Sequence, residues 1–419
     1  MIGREIATRN AIEALRAGVP NRAAIRLLGS SETALSQDFL ARLQRCGTVL
    51  TNNEEIEGLG IAGAFGAGKS HQLGYFAELA QRENFIVSMV PISKETPLFD
   101  PARLFAAAMR AAVVPGANDD AMTAVMRRLR PNSDRYDALE YWTTSEVREG
   151  RLSPLFAALL HLIPRVRDPD DHARMARFFS GARLNVSVVK GWLRDAGAAK
   201  LFDLKPVKEA ELALQRLRFA PRLFRAAGFA GWCVLLDEIE LIGRYSPLQR
   251  GRSYAELVRW LGLDRQENIP GVITVSAITD DFADQMFAQR RDDELVPARL
   301  ADRGLAQQAA MAKRGIAWLE QPLFKLTPPD ETQLRRSLDK IGNLYRDAYD
   351  WVPPDIGIGQ REATKSMRQY VKSWITTWDI ERLYGETPQI ETATIPSDYT
   401  ENSDIEQAPA TAEQDDSEG

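Results

Sequence analysis

The segment Gly63-Ala64-Phe65-Gly66-Ala67-Gly68-Lys69-Ser70 constrains this chain more than any other, because it fills every fixed position of the phosphate-loop pattern. A short apolar stretch, Leu59 to Ala62, precedes it and reads as a strand, and residues from about Lys69 to Arg82 read as a helix. In that setting the glycines let successive backbone N–H groups turn inward around phosphate oxygens. The start of the helix adds its partial positive charge. Lys69 is expected to reach the β- and γ-phosphates and Ser70 to ligate Mg²⁺. Gly63, Gly66, Gly68 and His71 complete the expected nucleotide-binding set.

A second element, Val234-Leu235-Leu236-Asp237-Glu238, is an apolar strand ending in two adjacent acids. Successive strand residues face opposite ways, so the two acids are expected to take different tasks. Asp237 would hold the Mg²⁺ shell, and Glu238 would orient and deprotonate a water attacking the γ-phosphate. Such a pair suits hydrolysis better than transfer to a small-molecule hydroxyl. No Asn-Lys-x-Asp or Thr-Lys-x-Asp guanine signature is found, which favours ATP over GTP. The strand Val272 to Ile278 ends at Thr279-Asp280-Asp281. Placed between the other two strands, it would set Thr279, or else Asp280, beside the attacking water; alternatively Thr279 caps a helix over Asp280 to Phe287. Arg290, Arg291, Arg299 and Arg303 follow at suitable distances to supply an arginine to a neighbouring subunit's γ-phosphate. The sequence does not choose among them.

Strands alternating with helices predict an α/β fold, a P-loop NTPase with a central parallel sheet, a large helical insertion and a carboxy-terminal helical subdomain. The expected divisions are an amino-terminal helical region 1–57, a core of 58–100 with 229–327, an insertion 101–228 with no strand of its own, a helical subdomain 328–385 and an acidic tail 386–419. Helices are expected over Arg4 to Ala17 and Glu32 to Gln44, the latter capped by Ser31. A short fifth strand fits Leu323 to Leu326. Trp351, Trp374 and Trp378 read as core, the last two on one apolar helix stripe.

At 419 residues the chain is long enough for two or three domains, and 44% hydrophobic residues suffice for a large core. Two cysteines and three histidines leave too few ligands for a zinc ribbon and no disulfide framework, which favours a reducing cytoplasm. No apolar run approaches a membrane span, and no apolar segment follows Met1 to Glu5, so neither membrane insertion nor export is expected. The net charge of −5 is unevenly distributed: residues 386–419 hold ten acids and no Lys or Arg, so the rest of the chain is net positive. That tail reads as a disordered solvating segment, or as an acidic tether that competes with nucleic acid. Arg127-Arg128-Leu129-Arg130 and Arg165-Val166-Arg167 are candidate contacts to DNA phosphates, or else solvated helix faces.

With these elements in place, the chain resembles the AAA+ branch of P-loop ATPases. More narrowly, it is similar to the ATP-binding proteins (BrxD-type) of BREX bacteriophage-exclusion systems. The likeness is carried by Ala14 to Asn21, the Gly63 to His71 loop, Ile92 to Leu98, and Leu236 to Ile242 continued by Gly251-Arg252-Ser253-Tyr254. It implies an ATP-driven role in antiviral defence beside other proteins of the system, acting on DNA and as a homo-oligomer. By the family pattern, Gly63, Gly68, Lys69 and Ser70 carry nucleotide binding, and Asp237 and Glu238 carry Mg²⁺ and water activation. A second-sensor arginine is not evident, though Arg335 and Arg336 are candidates. The competing expectation is a nucleotide-gated scaffold or signalling switch with negligible turnover.

Overall fold

The computed structural model describes residues 2–18, 22–48, 56–117, 119–264, 269–358 and 365–385. The acidic tail therefore lies outside the described residues, as does the turn Val19-Pro20-Asn21. In chain order the elements begin with α1 (Ile2–Ala17), α2 (Arg22–Leu28), α3 (Thr33–Thr48), β1 (Leu59–Ala62), α4 (Lys69–Arg82) and β2 (Phe85–Pro91). The insertion follows as α5 (Pro101–Arg110), β3 (Ala112–Val113), α6 (Ala121–Arg128), α7 (Asp134–Arg148), α8 (Pro154–Leu162), α9 (Pro169–Phe179), α10 (Val186–Asp195) and α11 (Glu209–Ala226). Then come β4 (Gly231–Asp237), a 3₁₀ segment Ile239–Arg244, α12 (Pro247–Trp260), β5 (Val272–Ile278), a π-helical turn Asp284–Gln289, α13 (Asp292–Asp302), α14 (Ala306–Leu319), β6 (Phe324–Lys325), α15 (Glu331–Tyr349) and α16 (Met367–Tyr384).

The six strands form one sheet in the order β3-β2-β4-β5-β1-β6, parallel except for the antiparallel pair β2 and β3. This is an α/β architecture of the P-loop NTPase kind. The fully buried strands β4 and β5 divide their side chains between two cores by simple alternation. Cys233 and Leu235 face the core built with α3 and α4, whereas Trp232, Val234 and Leu236 face the core shared with the insertion. Ser88 on β2 accepts from Trp232 Nε1 at 2.8 Å and donates to the Ala108 carbonyl at 2.6 Å, so both of these buried polar side chains are paired.

One strand does occur within the insertion, against expectation. Ala112–Val113 pairs with Val87 and Ser88 at the sheet edge. Two residues carry too little periodicity to be read from sequence, and the pairing is imposed by the chain leaving α5 alongside β2. Helix α3 begins at Thr33, one residue later than expected, so Ser31 stands two residues before it, and the Ser30 hydroxyl accepts the Glu32 N–H at 3.0 Å in the turn that leads in.

The two ends of the described chain share a core. Ile12 of α1 and Ala24 of α2 pack with Leu334, Tyr345, Trp374 and Trp378 of α15 and α16, and Trp351 is partly buried against them. Arg16 grips Asp379 with two bonds, 2.8 Å from Nε and 2.9 Å from Nη2, and the Tyr345 hydroxyl donates to the same carboxylate at 2.8 Å. Helix α2 is also tied to the phosphate-loop helix. Gly74 leaves room for Ile25, whose Cδ1 would lie 2.3 Å from an added Cβ, and Glu78 accepts from both Arg22 and Arg26.

Burial disfavours the Glu78 carboxylate, but the bonds from Arg26 and Arg22 prevail and hold its pKa below the ordinary 4.5. A folded-state pKa lowered in this way stabilises the fold above the unfolded value, and the contribution is lost as pH falls through the folded value. Glu78→Gln should therefore lower the thermal midpoint most near neutral pH. The gap to wild type should shrink as the medium is acidified below 4.5, as read from paired unfolding curves.

Candidate functional site

The phosphate loop is built as a tight turn between β1 and α4. Gly66 and Gly68 sit at φ +81° and +102°, a region that costs other residues roughly 1–2 kcal/mol. The Gly63 N–H donates to the Ile278 carbonyl at 3.2 Å, which fixes the loop's first residue to the end of β5. Lys69 is buried and folds back over the loop, its Nζ donating to the Gly63 carbonyl at 2.8 Å and to that of Ala64 at 3.3 Å. An ammonium held by the loop's own carbonyls is poised to exchange them for phosphate oxygens.

Asp237 is the last residue of β4 and is buried. Glu238 leaves the strand in the left-handed region, φ 59° and ψ 38°, with its N–H on Asp237 Oδ1 at 3.0 Å. Glu238 thus lies past the last residue of β4, and its placement relative to Asp237 is set by this backbone turn as well as by the strand pleat that the sequence suggested. A non-glycine residue in that region is strained, and here the strain aims a carboxylate into a cavity. Burial, followed by the neighbouring Asp237 charge, pushes the Glu238 carboxyl above its ordinary range, while Lys69 and Arg368 pull it down. Glu240 joins them. Burial raises its pKa too, and its Oε2 is enclosed without a hydrogen-bond partner among the described residues.

These pieces converge on one cavity of about 360 Å³. Its walls include Gly66, Gly68, Lys69, Ser70 and His71 from the loop side and Asp237, Glu238 and Glu240 from the end of β4. Helices α1, α2, α15 and α16 close the far side, through residues such as Leu15, Leu28, Arg336 and Met367. Gly63 lies at the loop's base and is not part of that wall. His71 is held by a 2.8 Å contact from Nε2 to the Gly29 carbonyl, and burial lowers its pKa, so it anchors the α2–α3 connection as well as facing the cavity. Ser70 and Asp237 offer a hydroxyl and a carboxylate to the same space. That donor pair fits Mg²⁺, which takes one or two protein oxygens and fills its other positions with phosphate and water. Among the described residues no cluster of three or more His, Cys, Asp or Glu could hold a metal ion by itself.

Other expected residues stand elsewhere. Thr279 is buried directly after β5 and is absent from the cavity wall, and Asp280 pairs with Lys325 at 3.2 Å. Helical backbone resumes at Phe282, three residues after Thr279, and the Phe282 N–H donates to the Thr279 carbonyl at 3.3 Å. Arg290 donates to the Gly243 carbonyl at 2.8 Å, Arg291 pairs with Glu294, and Arg299 and Arg303 are exposed on or just after α13. None of the four lines the cavity. Of the two second-sensor candidates, Arg336 lines it, whereas Arg335 lies 3.6 Å from Asp355.

Sequence reasoning missed Arg368. It lies in the first turn of α16, lines the cavity, and holds its guanidinium 5.5 Å from the Phe65 ring centroid at the loop tip. Ser366, the cap of the same helix, approaches so closely that a Cβ on Gly66 would fall 2.8 Å from its Oγ. No local signal marks these residues, because only tertiary packing brings α16 over the loop.

A model of the family described as "BREX system ATP-binding protein BrxC/D" matches residues 4–129 and 146–377, which is most of the chain. The chain belongs to this family. No match was found among curated proteins. Both segments that meet at the cavity, the phosphate loop and the acids after β4, lie inside the matched ranges, as does α16 up to Thr377. An ATP-binding family and a cavity walled by a phosphate loop are mutually consistent.

The glycines give a direct check. Nothing lies within 4 Å of a Cβ added to Gly68, so Gly68→Ala tests backbone strain alone. Both Gly66→Ala and Gly68→Ala should weaken nucleotide affinity about tenfold, from roughly 1–2 kcal/mol of strain. Gly66→Ala should be the worse of the two because it also displaces Ser366. Calorimetric titration with Mg-ATP measures both.

Proposed function

We propose that this protein binds ATP with Mg²⁺ in the cavity between the phosphate loop and α16, hydrolyses it, and couples the turnover to action on DNA with other proteins of its defence system in the cytoplasm. The observation that supports this most is the meeting of Lys69 and Ser70 with Asp237 and Glu238 in the wall of one cavity. The loop amides and Lys69 hold the phosphates, while Ser70 and Asp237 hold the ion, which would neutralise charge on the β- and γ-oxygens. Glu238 accepts a proton from the attacking water. Its raised pKa brings it nearer to the range in which a carboxylate works as a base. A sensor role for Thr279 requires the loop to shift, since the residue stands behind the cavity wall. The exposure of Arg299 and Arg303, on and just after α13, supports the reading that an arginine from a neighbouring copy completes the site in a homo-oligomer. Among the described residues no helix is long and apolar enough to cross a membrane.

A second reading, a nucleotide-gated latch with negligible turnover, draws on the contacts of Ser366 and Arg368 with the loop, because they would make α16 respond to occupancy. One pair of variants separates the two. Lys69→Ala should weaken ATP binding about 10- to 100-fold through loss of a charge-assisted bond. Glu238→Gln should keep binding within a few-fold and lower phosphate release by about 10²–10⁴. If Glu238→Gln abolishes turnover yet leaves phage protection intact, the latch reading is correct.

A further inference from the structure

The insertion carries a ridge of arginines that the nucleotide site does not use. Helices α7 and α11 run against each other, and the guanidinium of Arg222 lies 4.3 Å over the Trp142 ring. One turn further along α11, Arg225 donates to the Gly47 carbonyl at 2.6 Å. Beyond the helix end, Arg135 Nη1 lies 3.2 Å from the point where a Cβ on Gly228 would stand, and Arg128 lies 4.8 Å over the Phe229 ring. Arg128, Arg135, Arg222 and Arg225 thus converge on the last turns of α11, and Arg218 continues the same face one turn back.

No carboxylate is ion-paired with Arg128, Arg135, Arg222 or Arg225 among the described residues; Glu146, whose charge acts on Arg222, is paired with Arg151 at 2.6 Å. Burial disfavours the charged forms of Arg222 and Arg225; the Glu146 charge offsets part of this for Arg222 while Arg225 adds to it, and Arg135 adds to it for Arg225. Gathering unpaired cations in this way opposes folding, so the fold retains them in spite of their effect on stability. Ring faces and carbonyls hold the guanidiniums in fixed orientations, with N–H edges left for an acceptor.

We propose that this ridge of α6, α7 and α11 is the surface that binds the phosphate backbone of duplex DNA. The inference rests on the DNA reading above and names its location. Arg222 and Arg225 span about 5 Å of helix, over which duplex DNA presents roughly three charges. Planar guanidinium takes phosphate oxygens in pairs. A protein partner is less well matched, because an interface needs an apolar anchor. Tyr141 is the one exposed large apolar side chain of these helices among the described residues.

The test is titration of a short random-sequence duplex with the full chain and Mg-ATP at roughly 50 to 200 mM salt. Arg135→Gln, an exposed change, and Arg222→Gln should each weaken binding and reduce the salt slope by about 0.9. Both should leave DNA-free ATP turnover at the wild-type level. Arg222→Lys should keep the slope, which guards against a merely structural effect at Trp142. Wild-type binding with an undiminished slope in both Gln variants overturns the surface and leaves the DNA reading standing. Wild-type protein that binds no DNA at the lowest salt overturns both. Loss of poly-glutamate binding without loss of DNA binding in the variants would assign the ridge to an acidic protein and also overturn the proposal.

Discussion

The placement of β5 between β1 and β4 sets the geometry on which the site depends. Neighbouring strands lie ~4.8 Å apart, so an intervening strand separates the phosphate-loop strand from the acid-bearing strand by roughly twice that. That gap sets the phosphate loop and the Asp237–Glu238 pair on opposite sides of one cavity. Adjacent strands would leave the lysine and the acids to neutralise each other. β5 also reaches the loop itself, since its last carbonyl, on Ile278, accepts the Gly63 N–H. The sheet core and the cradle are therefore one mechanical unit.

On that frame the chain ends supply the closing wall. Helices α1 and α2 share one apolar core with α15 and α16, pinned by Arg16 on Asp379. The same α2 is bound to α4 through Glu78. Movement of the loop helix is thus mechanically connected to the helices that cap the cavity, and Ser366 and Arg368 complete the link by resting on the loop tip.

What could be read from the residues was whatever a local stretch of chain encodes. The loop, its flanking strand and helix, and the β4 acids are contiguous patterns, and β5 was found at its full length because every residue in it is buried. Trp374 and Trp378 were recognisable as core from helix spacing alone. Three features were not recoverable. β3 is two residues held by pairing, Glu238 turns on a backbone torsion that residue type does not announce, and Arg368 reaches the loop only through packing of α16. The position of Thr279 behind the wall is likewise a consequence of where β5 ends relative to the loop.

The most direct measurement is hydrogen–deuterium exchange of the full chain with and without saturating Mg-ATP. The account predicts slowed exchange at the amides of Ala64 to His71, with parallel protection after β4 at Glu238 to Glu240 and in the first turn of α16. Exchange that is unchanged across the loop at saturating nucleotide would contradict it.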